Sequence, residues 1–154
     1  LNKETHIVFS IAFSIAILDS VSGGIKADHI IPIVVFSVIG SRFPDLDLRY
    51  KHRVLLHNII AAFTFSFILY LALSIILSRV EYALSDLVKI STTSFFLGYS
   101  SHLILDALTI KGIAILYPVS HRRYRLTDFK STSRVLNTLI ITLSAIILLL
   151  VLVT

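Results

Sequence analysis

Five apolar stretches, separated by polar ones, run along this chain. Two of them, Ile59–Ser78 and Val135–Thr154, are twenty residues long without a single charge. At 1.5 Å per residue, each reaches about 30 Å as a helix, the thickness of a bilayer's hydrocarbon core. A third stretch, Ile90–Ile110, is as long but carries His102 and Asp106 toward its end. It reads as a span with a functional end. Ile7–Leu18 and Ile30–Ser41 have twelve residues each, lengths that predict short, tilted or half-spanning helices. Pro32 falls in the first turn of the second of these, where a missing N–H costs little.

Composition turns this pattern into a fold class. The chain has 154 residues, 56% of them hydrophobic and only 15% charged. A soluble domain carries about 25% charged residues to cover its surface, so a soluble globule and a disordered chain are both excluded. The expectation is one domain over residues 1–154, an all-α, multi-pass membrane helix bundle of about five segments, two of them short. The absence of cysteine excludes disulfides, thiolate metal sites and a cysteine nucleophile. The first apolar run follows Lys3 but leads into Asp19 and Gly23-Gly24. These do not make a small-residue cleavage site, so the run reads as a retained span.

The formal net charge of +5 would suggest nucleic acid in a soluble protein. Here it belongs to loops, and no nucleic-acid partner is expected. The loops predicted are Asp19–Asp28, Arg42–Leu55, Arg79–Lys89 and Lys111–Arg134. If all five segments cross, Lys3 shares one side with Arg42, Arg49, Lys51 and Arg53. Lys111, Arg122, Arg123, Arg125, Lys130 and Arg134 fall on that side too, which makes eleven of the fourteen basic residues. The positive-inside rule then predicts a cell-membrane protein with a cytoplasmic N-terminus and an external C-terminus.

Histidines and aspartates follow the same geography. His6 opens the first span; Asp45, Asp47 and His52 lie in the second loop; His57 begins the third span; His102 and Asp106 end the fourth. All seven reach the side the basic residues define as cytoplasmic, although the charges alone set the topology. His102 and Asp106 are i and i+4, one turn apart on one helical face. At 100° per residue, Gly98, His102, Asp106 and Thr109 fall within a stripe of about 80°. His6, Ser10 and Ser14 form a similar polar stripe. An ionisable residue inside a membrane segment costs about 2.5–3.5 kcal/mol or more on insertion scales. A metal ion would offset that cost for His102 and Asp106 together. The blander readings are a buried ion pair for His102 and Asp106 and an ordinary turn for Pro44-Asp45-Leu46-Asp47. His121-Arg122-Arg123-Tyr124-Arg125 reads as an anchor against anionic lipid, with a substrate-phosphate role as the sharper alternative. Asp28 and His29 fall at the opposite face and stay outside the site.

These residues also carry a family pattern. Thr5-His6, Pro44-Asp45-Leu46-Asp47, His52-Arg53 with His57, Gly98 with Ser101-His102, Asp106, Thr109 and Gly112 occur in this order. The pattern resembles that of the YdjM-type family of LexA-regulated, inner-membrane metal-dependent hydrolases and covers about Thr5 to Pro118. The resemblance implies a multi-helix membrane protein with a metal site and a hydrolase activity. Val54 and Leu56 stand where the family often has Gly and Thr, Asn58 replaces a common Ser, and Leu48 replaces a frequent His. A looser analogy links the His-x-x-x-Asp pair His102/Asp106 to bacterial zinc-dependent phospholipases C.

Imidazole and carboxylate donors without thiolate suit zinc, and also manganese or iron. Seven donors exceed one tetrahedral shell, so two ions bridged by an aspartate fit as well. The expected core ligands are His57, His102 and Asp106, with His6 and Asp47 as a second set. Asp45 or His52 would act as general base or outer-sphere partner, and Arg53 would hold a substrate phosphate. The expected function is a membrane-bound metal-dependent hydrolase acting on phosphoesters, small-molecule or lipid-linked, with membrane lipids as neighbours. The competing reading is a non-catalytic metal-binding or ion-translocating membrane protein: a carrier's site belongs near the midplane rather than at one face, and a scaffold with a purely structural metal would have a closed shell with no open position.

Overall fold

A computed structural model describes residues 1–49, 55–78 and 84–153 of the chain. Among them are five α-helices and no strand: α1 (Lys3–Ser22), α2 (Ala27–Arg42), α3 (Ile59–Leu77), α4 (Leu84–Ala107) and α5 (Arg134–Val153). A 3-10 helix over Phe43–Arg49 continues α2.

The two uncharged stretches become α3 and α5, with bounds shifted by no more than one residue. Ile7–Leu18 does not form a short helix. It lies inside a 20-residue α1 that recruits the polar residues at both ends of the apolar run. The physical reason is backbone hydrogen bonding. In lipid every N–H and C=O needs a partner, so a helix continues past its apolar side chains until its ends reach polar surroundings. The second short run likewise lies within a continuous 20-residue candidate span, Ala27–Leu46. Among the described residues, four helical segments are long and apolar enough to cross a membrane: α1, α2 with its extension, α3 and α5. The chain is therefore a membrane protein and an all-α bundle. The third loop also ends sooner than expected, because α4 begins at Leu84 and takes in Lys89.

Helices α1, α2 and α4 pack against one another, α3 packs on α4, and α5 packs on α1. The 24-residue α4 sits at the centre, which is why it tolerates Ser91, Ser94, Ser101 and His102, all buried. The outer helices turn Phe63, Phe67, Ile75, Leu139 and Leu143 outward, the apolar surface a bilayer requires.

The close approach of α2 and α4 depends on two glycines. A Cβ on Gly98 would lie 2.2 Å from the Ser37 carbonyl oxygen, and one on Gly40 would lie 2.1 Å from that of Phe95. Each glycine therefore seats the backbone of the other helix, as small residues do between membrane helices. This crossing lies one turn from His102 and brings α4 against the segment that carries Asp45.

Candidate metal centre

Each site residue is placed by its own local structure. His6 lies in the first turn of α1, beside fully buried Thr5. The Thr5 hydroxyl donates to Asn137 Oδ1 at 2.6 Å and so ties α1 to α5 at this end. Asp45 projects from the 3-10 helix after α2. His57 precedes α3, whose N-cap is Asn58; the Asn58 side chain accepts from the Ala61 N–H at 2.8 Å. The buried Tyr99 hydroxyl donates to the Leu56 carbonyl and fixes the backbone next to His57. His102 and Asp106 come from the last turns of α4.

These five side chains meet at one end of the bundle. Asp106 Oδ1 lies 3.5 Å from His6 Nε2. Its Oδ2 lies 3.5 Å from His102 Nε2 and 3.7 Å from His57 Nε2. Asp45 Oδ1 lies 3.7 Å from His102 Nε2. The His6 and His102 rings stack at 4.2 Å, and His57 meets His102 edge-on at 5.4 Å. Two overlapping triads result, His6–His102–Asp106 and Asp45–His57–His102, each with its donor atoms within 4.8 Å of one another.

The spacing carries chemical information. An N–H···O hydrogen bond spans about 2.7–3.2 Å, and these contacts are all longer. Two ligands about 2.0–2.1 Å from one tetrahedral ion sit about 3.4 Å apart, which is close to the separations here. His102 is 1% exposed, and among the described residues neither of its ring nitrogens has a hydrogen-bond partner. Leaving a buried polar atom unsatisfied costs about 1–3 kcal/mol, and a cation on a ring nitrogen would relieve it. The donor set therefore fits a divalent ion, and the two Asp106 oxygens, facing different histidines, fit a bridging carboxylate.

Of the other residues expected here, His52 and Arg53 lie outside the described residues, and so does the side chain of Asp47. Thr109 does not continue the helical stripe, because α4 ends at Ala107. Instead its hydroxyl donates back to the Asp106 carbonyl at 2.9 Å. The chain then turns at Gly112, whose φ is +57°, a conformation costly for a residue with a Cβ. The following loop folds back over the site. Ile113 and Tyr124 exchange backbone hydrogen bonds, Leu126 N–H caps the Ala107 carbonyl, and Ile59 N–H reaches the Ile115 carbonyl. The result is a cleft of about 230 Å³ with the histidines and aspartates on its floor and Lys3, Lys111 and Arg123 also in its lining.

Sequence reasoning missed Asn137, which it left inside an uncharged span. The one amide side chain in a membrane helix whose other polar residues past Arg134 are hydroxyls was the available signal, since such a residue needs a partner. Tyr99 gave no signal, because its role depends on a carbonyl 43 positions away.

A family model described as YdjM inner membrane protein matches residues 1–154, the whole chain. No curated protein and no solved structure matches it.

Proposed function

This chain belongs to the YdjM inner membrane protein family, and from that premise we propose that the cluster is the metal-dependent hydrolytic centre of a membrane-embedded enzyme acting on phosphoesters. One observation carries the reading. Three histidines and two aspartates from four separate segments converge at ligand spacing on the floor of an open cleft.

His6, His102 and Asp106, one of the two triads, would hold an ion, and His57, which faces the same Asp106 oxygen as His102, would complete that shell on a small shift or serve a second ion, with zinc the first choice for nitrogen and oxygen donors and manganese or iron the alternatives. The chemistry such an ion would supply when bound is an acidified water and a polarised phosphoryl oxygen. Asp45 accepts the proton of the attacking water. The new P–O bond would form as the ester P–O bond breaks on the opposite side of phosphorus; the departing alcohol oxygen takes a proton from water in the cleft, and the Asp45 carboxyl gives up its own proton to solvent. The packed core beneath the floor, with Ser10 and Ser101 fully buried, keeps water to the cleft side. A carrier would need a site near the midplane and open to both sides; this cluster at the bundle end favours hydrolysis.

Purified full-length protein is expected to contain one or two equivalents of divalent metal and to hydrolyse members of a phosphoester panel, with chelator abolishing the activity. Metal-free protein that regains neither occupancy nor activity on adding zinc, manganese or iron would overturn the reading.

The site face is the cytoplasmic face in this proposal. Odd-numbered helices begin there and even-numbered ones end there, as alternate crossing of all five requires; α4, which is not among the four apolar segments, would cross at the centre of the bundle, covered by α1, α2 and α3. Reporter fusions after Arg53, Asp86, Lys130 and Thr154 should read inside, outside, inside and outside. A fusion at Thr154 reporting the cytoplasm would overturn this orientation.

A further inference from the structure

We infer that Lys3, Lys111 and Arg123 form a recognition rim for a phosphate group, set above the metal-ligand cluster. The inference rests on the hydrolytic reading for its purpose and on separate residues for its support.

The rim comes from the first turn of α1 and from two limbs of the loop after α4, the turn that carries Lys111 and the returning limb that carries Arg123. All three cations line the cleft that holds His6, Asp45, His57, His102 and Asp106. All three are exposed, and among the described residues none pairs with a carboxylate. The neighbouring cations differ. Arg125 pairs with Asp128 at 3.2 Å, and the Arg122 guanidinium lies 5.6 Å over the Tyr124 ring. The basic run His121–Arg125 is thus divided by the fold. Its central arginine belongs to the cleft, and the two others named here are engaged locally.

Function explains this placement better than stability does. Three like charges around one small cleft repel one another, and unpaired surface lysines contribute little to folding. Two carboxylates on the floor do not balance three cations and a divalent ion, so the cleft as proposed is strongly electropositive. Its complement is a compact anion with several acceptor oxygens, able to meet the floor with one oxygen and the rim with the others. A phosphate group has that shape and charge. Arg binds such groups in a bidentate fork, and Lys binds them as a point charge. The group can come from a soluble phosphate ester or from a lipid headgroup. The same loop exposes Leu116, Val119 and Leu126, and exposed apolar side chains beside basic ones at the end of a membrane bundle favour the lipid source.

The test uses full-length, zinc-loaded protein in detergent and calorimetric titration with three probes. Glycerol phosphate is the soluble monoester, dihexanoyl phosphatidic acid carries the same group on a lipid, and dihexanoylglycerol lacks it. Lys111→Gln and Arg123→Gln should each weaken binding of both phosphate probes about tenfold, and Lys3→Gln should weaken it less. The Lys3/Lys111/Arg123 triple Gln variant should abolish that binding. Zinc content should remain that of the parent throughout, and Arg125→Gln, which removes the paired arginine, should leave binding unchanged. Phosphatidic acid binding tighter than glycerol phosphate identifies a lipid source, and equal binding a soluble one; both support the rim. Parent-like phosphate affinity in the triple variant would overturn the rim even if zinc is bound. Conversely, protein that takes up no zinc but binds phosphate through Lys111 and Arg123 would keep the rim and remove the hydrolytic reading.

Discussion

Asp106→Asn is expected to strip the bound metal and abolish phosphoester hydrolysis while the protein remains folded in detergent. Asp106 is the hub of the cluster. One oxygen faces His6 and the other faces both His57 and His102, so losing its charge weakens the hold of three imidazoles at once. Removing a partner outside the ligand set typically costs 10–100-fold in affinity; the loss of the hub should exceed about 100-fold. His102→Ala should have a comparable effect, because His102 belongs to both triads. The two losses should be strongly non-additive, since the double variant has no site left to lose. Asp28→Asn and His29→Ala, at the start of α2 and the other end of the bundle, should keep parental metal and activity. Occupancy in the parent should also fall on acidification, because an imidazole nitrogen must be free of its proton to bind metal. Metal stoichiometry on the four single variants and the double variant decides the matter. Parental occupancy surviving in both Asp106→Asn and His102→Ala would falsify the centre as placed.

Gly98→Leu should prevent the bundle from assembling, and Gly98→Ala should already lower the melting temperature sharply. A Cβ at Gly98 meets backbone atoms of Ser37 at 2.2 and 2.8 Å. No side-chain rotamer can relieve such a clash, so α2 and α4 would have to separate. Overpacking a well-packed interior costs about 1–3 kcal/mol, and a backbone clash belongs at the upper end. Gly40→Ala should behave alike, because its Cβ would meet the Phe95 carbonyl oxygen at 2.1 Å. Metal affinity should fall together with stability in these variants, since the same crossing brings His102 beside Asp45. Ser100→Ala, on the same helix, removes a buried hydroxyl without a hydrogen-bond partner among the described residues and should melt at or above the parental temperature. A Gly98→Ala protein with the parental melting temperature would show that the two helices do not touch at this glycine.

By itself the sequence determined the helices and the candidate ligands. A run of twenty uncharged residues has one good solvent, lipid, and one good backbone conformation there, the helix; hence Ile59–Ser78 and Val135–Thr154 became α3 and α5 almost to the residue. Histidine and aspartate stand out in so apolar a chain because their burial is costly, and five of those singled out, His6, Asp45, His57, His102 and Asp106, do lie together. The ends of α1 were not legible, since helical hydrogen bonding runs past the apolar signal, and neither was the end of α4 at Ala107. Only the tertiary structure decided which Asp106 oxygen faces which histidine, that Asp45 stands beside His102, and that Arg123 turns to the cleft while Arg125 turns to Asp128. Those outcomes depend on the α2–α4 backbone contact at Gly40 and Gly98 and on a loop that pairs Ile113 with Tyr124. Hydrophobic periodicity reports how a segment meets its solvent; it holds no term for the distance between two segments, and that distance makes the site.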